Sequence, residues 1–190
     1  GAALAQVHAV DTTGLSSLPT ADQVRQYREA LDQMGQPHPA FELAFKWLDA
    51  NRPEVGPPVL VHGDFRLGNV LVGDDGLRAV LDWELSTLGH PLSDFAYLML
   101  AWRMPPSAFR GMAGANFTEL GIPTEAEFIA DYCRRTGRDS IPNFDYYIIF
   151  NVFRIAAILH GVWARALAGN ASDQNALEMG KRAERLADAA

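Results

Sequence analysis

Apolar residues recur with a helical period at both ends of the chain and cluster in short runs near its middle. The helical pattern predicts helices over residues 2–10, 20–34, 40–51, 93–102, 124–136 and 143–167, and an amphipathic one from residue 172. Thr20 with Gln23, and Thr124 with Glu127, have the spacing of capping boxes. The first helix has no capping residue before it, so we expect the chain to be a fragment of something longer.

Three short β-rich runs occupy the central stretch, at residues 59–61, 70–72 and 77–81. Gly73-Asp74-Asp75-Gly76 stands between the last two runs and is typical of a hairpin turn. No repeat or low-complexity linker interrupts the chain. The pattern therefore predicts one α+β domain over residues 1–190, mainly helical, with a small β-hairpin insert.

Composition and charge exclude several classes of function. A hydrophobic share of 48% and a charged share of 21% are ordinary for a soluble globular domain. The net charge of −7 disfavours nucleic acid as a partner. The longest apolar tract, residues 146–168, is interrupted by Asn151, Arg154, His160 and Arg165, which predicts no membrane span.

The chain has a single cysteine, Cys133, so no disulfide can form within it. Its place in a helical pattern predicts a packed core thiol. No secretory signal opens the sequence, and a reducing cytoplasm suits this cysteine usage best.

Three oxygen-bearing side chains follow the strands of the β insert. A hydrophobic strand leads to Asp64, Asn69 leads into the next strand, and the hairpin returns the chain to Asp82. We expect them to converge at one end of a two-stranded ribbon. Such oxygen ligands suit magnesium, which binds one or two protein groups together with substrate phosphates. The remaining carboxylate could then orient and deprotonate a hydroxyl, as phosphoryl transfer requires.

The sequence His62-Gly63-Asp64, with Asn69 five residues after the aspartate and then Asp82-Trp83-Glu84, resembles the catalytic and metal-binding segments of the aminoglycoside phosphotransferase and choline kinase superfamily. Protein kinases have the same aspartate-to-asparagine spacing. Residues 82–97 are most similar to the phosphotransferase domains related to those fused to acyl-CoA dehydrogenases. The resemblance implies the C-terminal lobe of a kinase-like fold.

The resemblance also implies roles for single residues. Asp64 matches the catalytic base, Asn69 and Asp82 match the ligands of magnesium and thereby of ATP, and Arg66 stands where protein kinases have a lysine near the transferred phosphate. Asp94 matches an aspartate that begins a helix and braces the catalytic loop through backbone hydrogen bonds. Ser93 or Asp94 would suit the N-cap of that helix.

Three further residues near the motif have supporting or open assignments. We expect His62 to hold the loop by hydrogen bonding rather than to act as an acid or base. Glu84 could touch metal or substrate, or be a solvated carboxylate. His90 could shape a turn or face the substrate.

Nothing before residue 59 resembles the glycine-containing loop or the lysine–glutamate pair with which this superfamily holds ATP. We therefore expect the N-terminal, ATP-gripping lobe to be absent, and the chain alone to be inactive. The apolar face left open by that lobe would allow a homodimer.

The leading hypothesis is an ATP- and magnesium-dependent phosphotransferase that acts on a hydroxyl of a small molecule, either a hydroxyacyl-type metabolite or an aminoglycoside-like compound. A second hypothesis is a non-catalytic, kinase-like binding or scaffold module. A third is a metal-dependent hydrolase that uses His62, Asp64, Asp82 and His90, although such sites usually have histidine-rich spacing.

Overall fold

The computed structural model describes residues 1–20, 22–35, 39–54, 56–109 and 111–167. In chain order its elements are the helices and strands α1 (Ala2–His8), α2 (Gln23–Gln33), α3 (Pro39–Ala50), β1 (Val59–Val61), β2 (Val70–Gly73), β3 (Gly76–Val80), β4 (Thr87–Gly89), α4 (Pro91–Arg103), α5 (Pro106–Phe109), α6 (Glu125–Thr136) and α7 (Phe144–Leu167). Short 3₁₀ turns precede β2 and β4. The helix predicted from residue 172 lies outside the described residues.

The starts of α6 and α2 test the two capping boxes predicted from the sequence. The capping box predicted for α6 is confirmed, since the Thr124 side chain and Glu127 exchange hydrogen bonds with each other's backbone. The box predicted at Thr20 is wrong. Asp22 is the N-cap of α2 and accepts a hydrogen bond from the backbone N–H of Arg25. Aspartate caps as well as threonine does, so the N-cap lies two residues later than predicted.

The β insert forms two separate antiparallel pairs. β2 and β3 form the predicted hairpin, in which Gly76, at φ 111°, adopts a conformation that favours glycine. β1 pairs instead with β4, a strand that the sequence pattern did not predict, in the register Leu60 to Leu88. The prediction of one two-stranded ribbon is therefore incomplete, because the strand before Asp64 belongs to the second pair.

The chain divides into two compact units, and the single domain predicted over residues 1–190 stays a prediction. The first unit comprises residues 1–20 and 54–147. Its core surrounds α4, where Phe95 is fully buried and stacks on Tyr132 of α6 with ring centroids 4.1 Å apart. Leu4 of α1 and Met99 of α4 are also fully buried. As predicted, Cys133 is a buried free thiol.

The second unit comprises residues 21–53 and 148–190. Phe41 of α3 packs edge-on against Phe153 and His160 of α7, with centroid distances of 6.1 and 5.5 Å. α7 is long and apolar enough to cross a membrane by length and composition alone. However, 61% of its most apolar window is buried inside the protein, and core helices of soluble proteins pass the same test.

Candidate active site

The carboxylate of Asp64 is held by three hydrogen-bond donors. Arg66 Nε donates to Oδ2 over 3.0 Å and Asn69 Nδ2 donates to the same oxygen over 2.7 Å. The hydroxyl of Tyr97, on α4, donates to Oδ1 over 2.5 Å. Asn69 Nδ2 also reaches the backbone oxygen of Asp64, over 2.9 Å, and so closes the loop between the two residues.

These donors set the charge state of Asp64. Partial burial opposes ionisation, but the hydrogen bonds from Tyr97, Arg66 and Asn69 outweigh it and hold the pKa of the Asp64 carboxyl below its ordinary value. At neutral pH Asp64 is therefore an ionised acceptor of fixed orientation.

Asp94 joins the loop to α4. It is fully buried, and its two carboxylate oxygens accept the backbone N–H groups of His62, over 2.6 Å, and Gly63, over 2.8 Å. These are the hydrogen bonds that the resemblance implies for this position. On the other side, His8 Nε2 lies 3.5 Å from Asp94 Oδ2, and His8 Nδ1 lies 2.8 Å from the hydroxyl of Tyr132. Asp94 therefore connects α1 and α6 to the loop.

His62 uses both of its ring nitrogens on the backbone. Nδ1 accepts from the N–H of Asp64 over 3.1 Å, so Nε2 carries the hydrogen and donates to the backbone oxygen of Leu81 over 2.9 Å. The ring is fully buried and lies against Trp83 at 4.6 Å between centroids. His62 thus links the loop to the segment that carries Asp82, and no ring nitrogen remains for a metal.

Asn69 and Asp82 are brought together by the hairpin. The backbone N–H of Leu81 donates to the oxygen of Asn69 over 2.8 Å, which continues the β2–β3 ladder by one residue and places Asp82 directly after it. Asn69 gives its Nδ2 group to Asp64, so its Oδ1 is the atom left for a cation. Asp82 is exposed, and its carboxylate makes no hydrogen bond or ion pair with the described residues. One amide and one carboxylate oxygen fit magnesium shared with phosphates.

Two residues of the site, Asp82 and Gly63, have positive φ angles. Asp82 has φ 67°, a left-handed conformation that aspartate and asparagine tolerate better than most residues. Gly63 has φ 84°, and a Cβ at this position would overlap the backbone oxygen of Leu85. Only glycine lets the loop approach the 3₁₀ turn at residues 83–85 this closely.

The remaining predicted residues lie apart from this contact network. Glu84 is exposed in the 3₁₀ turn. His90 is the N-cap of α4, since its Nδ1 accepts from the N–H of Leu92, so the capping role predicted for Ser93 or Asp94 is wrong. The His90 ring stacks on Tyr147 at 4.9 Å, and burial first, then nearby positive charge, lowers its pKa to about 4.

The described part of the chain gives the hydrolase hypothesis no support. No group of three or more histidine, cysteine, aspartate or glutamate side chains there is arranged to hold a metal ion. Both nitrogens of His62 bind the backbone, and Nδ1 of His90 caps a helix.

Sequence reasoning missed Tyr97 and His8 as members of the network. Tyr97 stands three residues after Asp94 and so shares its face of α4, a spacing that could have identified it. His8 reaches Asp94 from the far end of the unit's sequence, and no local pattern marks such a contact.

Comparison with known proteins agrees with this architecture. Residues 1–146 match the model of the phosphotransferase enzyme family, APH. Acyl-CoA dehydrogenase family member 10 of Mus musculus is 41% identical over 98% of the chain, which spans 19% of that protein. A crystal structure of a candidate aminoglycoside phosphotransferase from Ralstonia eutropha has a TM-score of 0.85 and 37% identity, covering 97% of this chain and 60% of its own.

A GDP complex of aminoglycoside 2′-phosphotransferase-IIIa has a TM-score of 0.59 at 15% identity, over 98% of this chain and 59% of its own, a likeness of fold alone. The mainly helical, kinase-like lobe predicted from the sequence is confirmed by these neighbours. With a family match over residues 1–146 and the relatives described above, the chain belongs to the phosphotransferase enzyme family.

Proposed function

We propose that the chain supplies the catalytic lobe of an ATP- and magnesium-dependent phosphotransferase that acts on a hydroxyl of a small molecule. The observation that carries this proposal is the ionised Asp64 carboxylate, held by Arg66, Asn69 and Tyr97 on a loop that Asp94 braces. A carboxylate of fixed orientation, together with amide and carboxylate oxygens of the kind that bind magnesium, is what phosphoryl transfer needs from one side of a cleft.

In the proposed reaction Asp64 accepts a hydrogen bond from the hydroxyl of the acceptor and orients its oxygen toward the γ-phosphorus of ATP. The new O–P bond forms as the bond from phosphorus to the β–γ bridging oxygen breaks, and ADP leaves with that electron pair. The hydroxyl proton passes to Asp64. Because its pKa is lowered, Asp64 is a weak base, which suits a loose transition state in which the proton moves late.

Asn69 Oδ1 and the Asp82 carboxylate would hold magnesium. When bound, the ion would neutralise charge on the phosphates. Arg66 uses Nε on Asp64, and its Nη atoms make no hydrogen bond to the described residues. We therefore propose that they face the transferred phosphate, as the position of this residue two after the base implies.

The acceptor class rests on the relatives. Similarity to an acyl-CoA dehydrogenase family member supports a hydroxyacyl-type metabolite, and the likeness to a candidate aminoglycoside phosphotransferase supports an aminoglycoside-like compound as the other option. We also propose a cytoplasmic location, which the single buried thiol of Cys133 suits.

Transfer of labelled phosphate tests the proposed function. The complete protein that carries this chain is incubated with magnesium, [γ-³²P]ATP and a panel of hydroxyacyl and aminoglycoside compounds. We expect label on a hydroxyl compound with the wild-type protein and with Asp74→Asn, an exposed hairpin control, but much less with Asp64→Asn. No transfer by the wild-type protein would contradict the proposal and favour the scaffold hypothesis.

The proposed partner of the chain alone is a second copy. Large apolar side chains are exposed on and beside the hairpin, namely Leu67, Leu71, Val72, Leu77, Leu81, Trp83 and Leu85. Such an exposed apolar set favours association. Light scattering should show a dimer that Val72→Lys dissociates and that Leu43→Lys, at an exposed site on α3, leaves intact. A monomeric wild-type chain would contradict this.

A further inference from the structure

The two carboxylate oxygens of Asp64 accept different numbers of hydrogen bonds. Oδ2 accepts from both Arg66 and Asn69, whereas Oδ1 accepts from Tyr97 alone. A carboxylate oxygen has two lone pairs, so Oδ2 is saturated and Oδ1 keeps one acceptor site. The only acceptor site left on this carboxylate by the described residues is therefore beside the Tyr97 hydroxyl.

Tyr97 itself is firmly placed. Its side chain is 8% exposed in the most buried part of α4, and Asp94 lies three residues before it on the same face. Asp94 fixes the backbone of the loop at His62 and Gly63, and Tyr97 fixes the side chain of Asp64. One helical face thus controls both the position and the orientation of the carboxylate.

We propose that Tyr97 is a positioning residue of the phosphotransfer, holding Asp64 so that the remaining lone pair of Oδ1 faces the acceptor hydroxyl. This inference rests on the proposed function and assigns the receiving oxygen within it. The acceptor proton passes to Oδ1, while Tyr97 keeps its own proton and stabilises the carboxylate before transfer. Tyr97 touches neither substrate nor phosphate and acts through Asp64.

The first test measures the pKa of Asp64 without any reaction. In protein with ¹³Cγ-labelled aspartate, the Asp64 signal is assigned from the Asp64→Asn spectrum and titrated. Tyr97→Phe removes one hydroxyl, and we expect the Asp64 pKa to rise toward the ordinary aspartate value. Tyr27→Phe, the same change on α2, should leave it unaltered. An unchanged Asp64 pKa in Tyr97→Phe would overturn the proposal.

The second test measures turnover. Loss of one hydrogen bond to a charged group should lower kcat about 10- to 100-fold, with little change in KM for ATP. The acid limb of the pH–rate profile should move to higher pH, together with the Asp64 pKa. In an Asp64→Asn background, Tyr97→Phe should cost less than about 2-fold, because Tyr97 acts through the ionised carboxylate. An equal cost in both backgrounds would overturn the proposal.

A third variant should shift the Asp64 pKa in the opposite direction. 3-Fluorotyrosine at position 97 is a more acidic, stronger donor of nearly the same shape, so the Asp64 pKa and the acid limb should move to lower pH. A shift in the same direction as in Tyr97→Phe would overturn the proposal. No phosphate transfer by the wild-type protein would overturn the proposed function together with the role of Tyr97 in it. Transfer that Tyr97→Phe leaves unaffected would overturn only the role of Tyr97.

Discussion

His62 and Asn69, at the two ends of the loop of residues 62–69, are neighbours of the segment of residues 81–85, but their environments differ sharply. In the loop, His62 is fully buried and Asn69 is 4% exposed, and both have their hydrogen-bonding nitrogens paired. In the segment, Leu81, Trp83 and Leu85 are each about two-fifths exposed or more. Residues of the chain itself surround the proposed base, Asp64. The segment that carries the proposed metal ligand Asp82 is exposed, so its remaining contacts would come from the molecules that bind there.

The exposed segment should give the largest loss of activity at almost no cost in stability. Asp82→Asn keeps a residue that tolerates φ 67° while removing the charge, so we expect turnover to fall at least about 10³-fold through loss of magnesium. Asp82→Ala should abolish turnover too, with a small stability cost from the left-handed backbone. Steady-state kinetics and urea unfolding measure both effects.

Asp74→Asn, in the turn of the same hairpin, is the matched control and should change neither quantity. Unchanged turnover of Asp82→Asn at saturating magnesium would remove Asp82 from the metal site. Global unfolding of that variant would show that the exposed segment is as structurally essential as the loop.

The second effect in size belongs to the loop. Asp64→Asn removes the proposed base but keeps the shape of the side chain, and turnover should fall about 10²–10⁴-fold. ATP affinity should change much less, because in the proposed reaction Asp64 contacts the acceptor hydroxyl and not the nucleotide. Turnover and calorimetric ATP binding are measured in parallel. A large loss of ATP binding with near-normal turnover would reverse the roles of the loop and the segment.

The third effect is on stability. Asp94→Asn keeps one acceptor oxygen and turns an N–H donor toward the second backbone N–H, so we expect a loss of about 2–4 kcal/mol in the free energy of unfolding. The amides of His62 and Gly63, which donate to Asp94, should exchange faster with solvent. Asp139→Asn at an exposed position is the control. Unaltered exchange of both amides would show that the loop does not depend on the hydrogen bonds that Asp94 accepts from it.

The smallest effect concerns pH. His90 has a pKa of about 4 in the folded chain, against an ordinary value of 6.5, so between these values the unfolded chain binds more protons. Stability should therefore fall as the pH is lowered from 6.5 toward 4. His90→Asn keeps an N-cap acceptor for Leu92 without a titrating group, and urea unfolding at about pH 7 and pH 5 should show a shallower dependence. An equal dependence in both proteins would exclude His90 as a source.

Local patterns predicted the elements that are fixed locally. The capping box of α6, the period of α7 and the glycines of the hairpin each act within a few residues, and each appears in the structure. β4 is a short strand, and its pairing partner β1 lies well before it in the chain, on the other side of the hairpin. Its existence depends on a contact distant in sequence, which no local period records.

The same distinction applies to the site. The spacing of Asp64, Asn69 and Asp82 within one hairpin and its loop is short enough to be visible in the sequence. Tyr97 belongs to the network because α4 packs close enough to the loop for its hydroxyl to reach Asp64. His8 belongs to it because α1 packs beside α4, next to Asp94. Both positions follow from tertiary packing. The three-residue spacing from Asp94 could have indicated Tyr97, but no local pattern marks His8.

Gly63 has a consequence for any effort to redesign the proposed acceptor site. Its positive φ and its close approach to Leu85 leave space for a hydrogen atom and nothing larger. In a library randomised over residues 62–69, selection for a folded product should return glycine at position 63 whatever acceptor is offered. Diversity is better introduced at exposed positions such as Leu67, which is 82% exposed and does not have a positive φ.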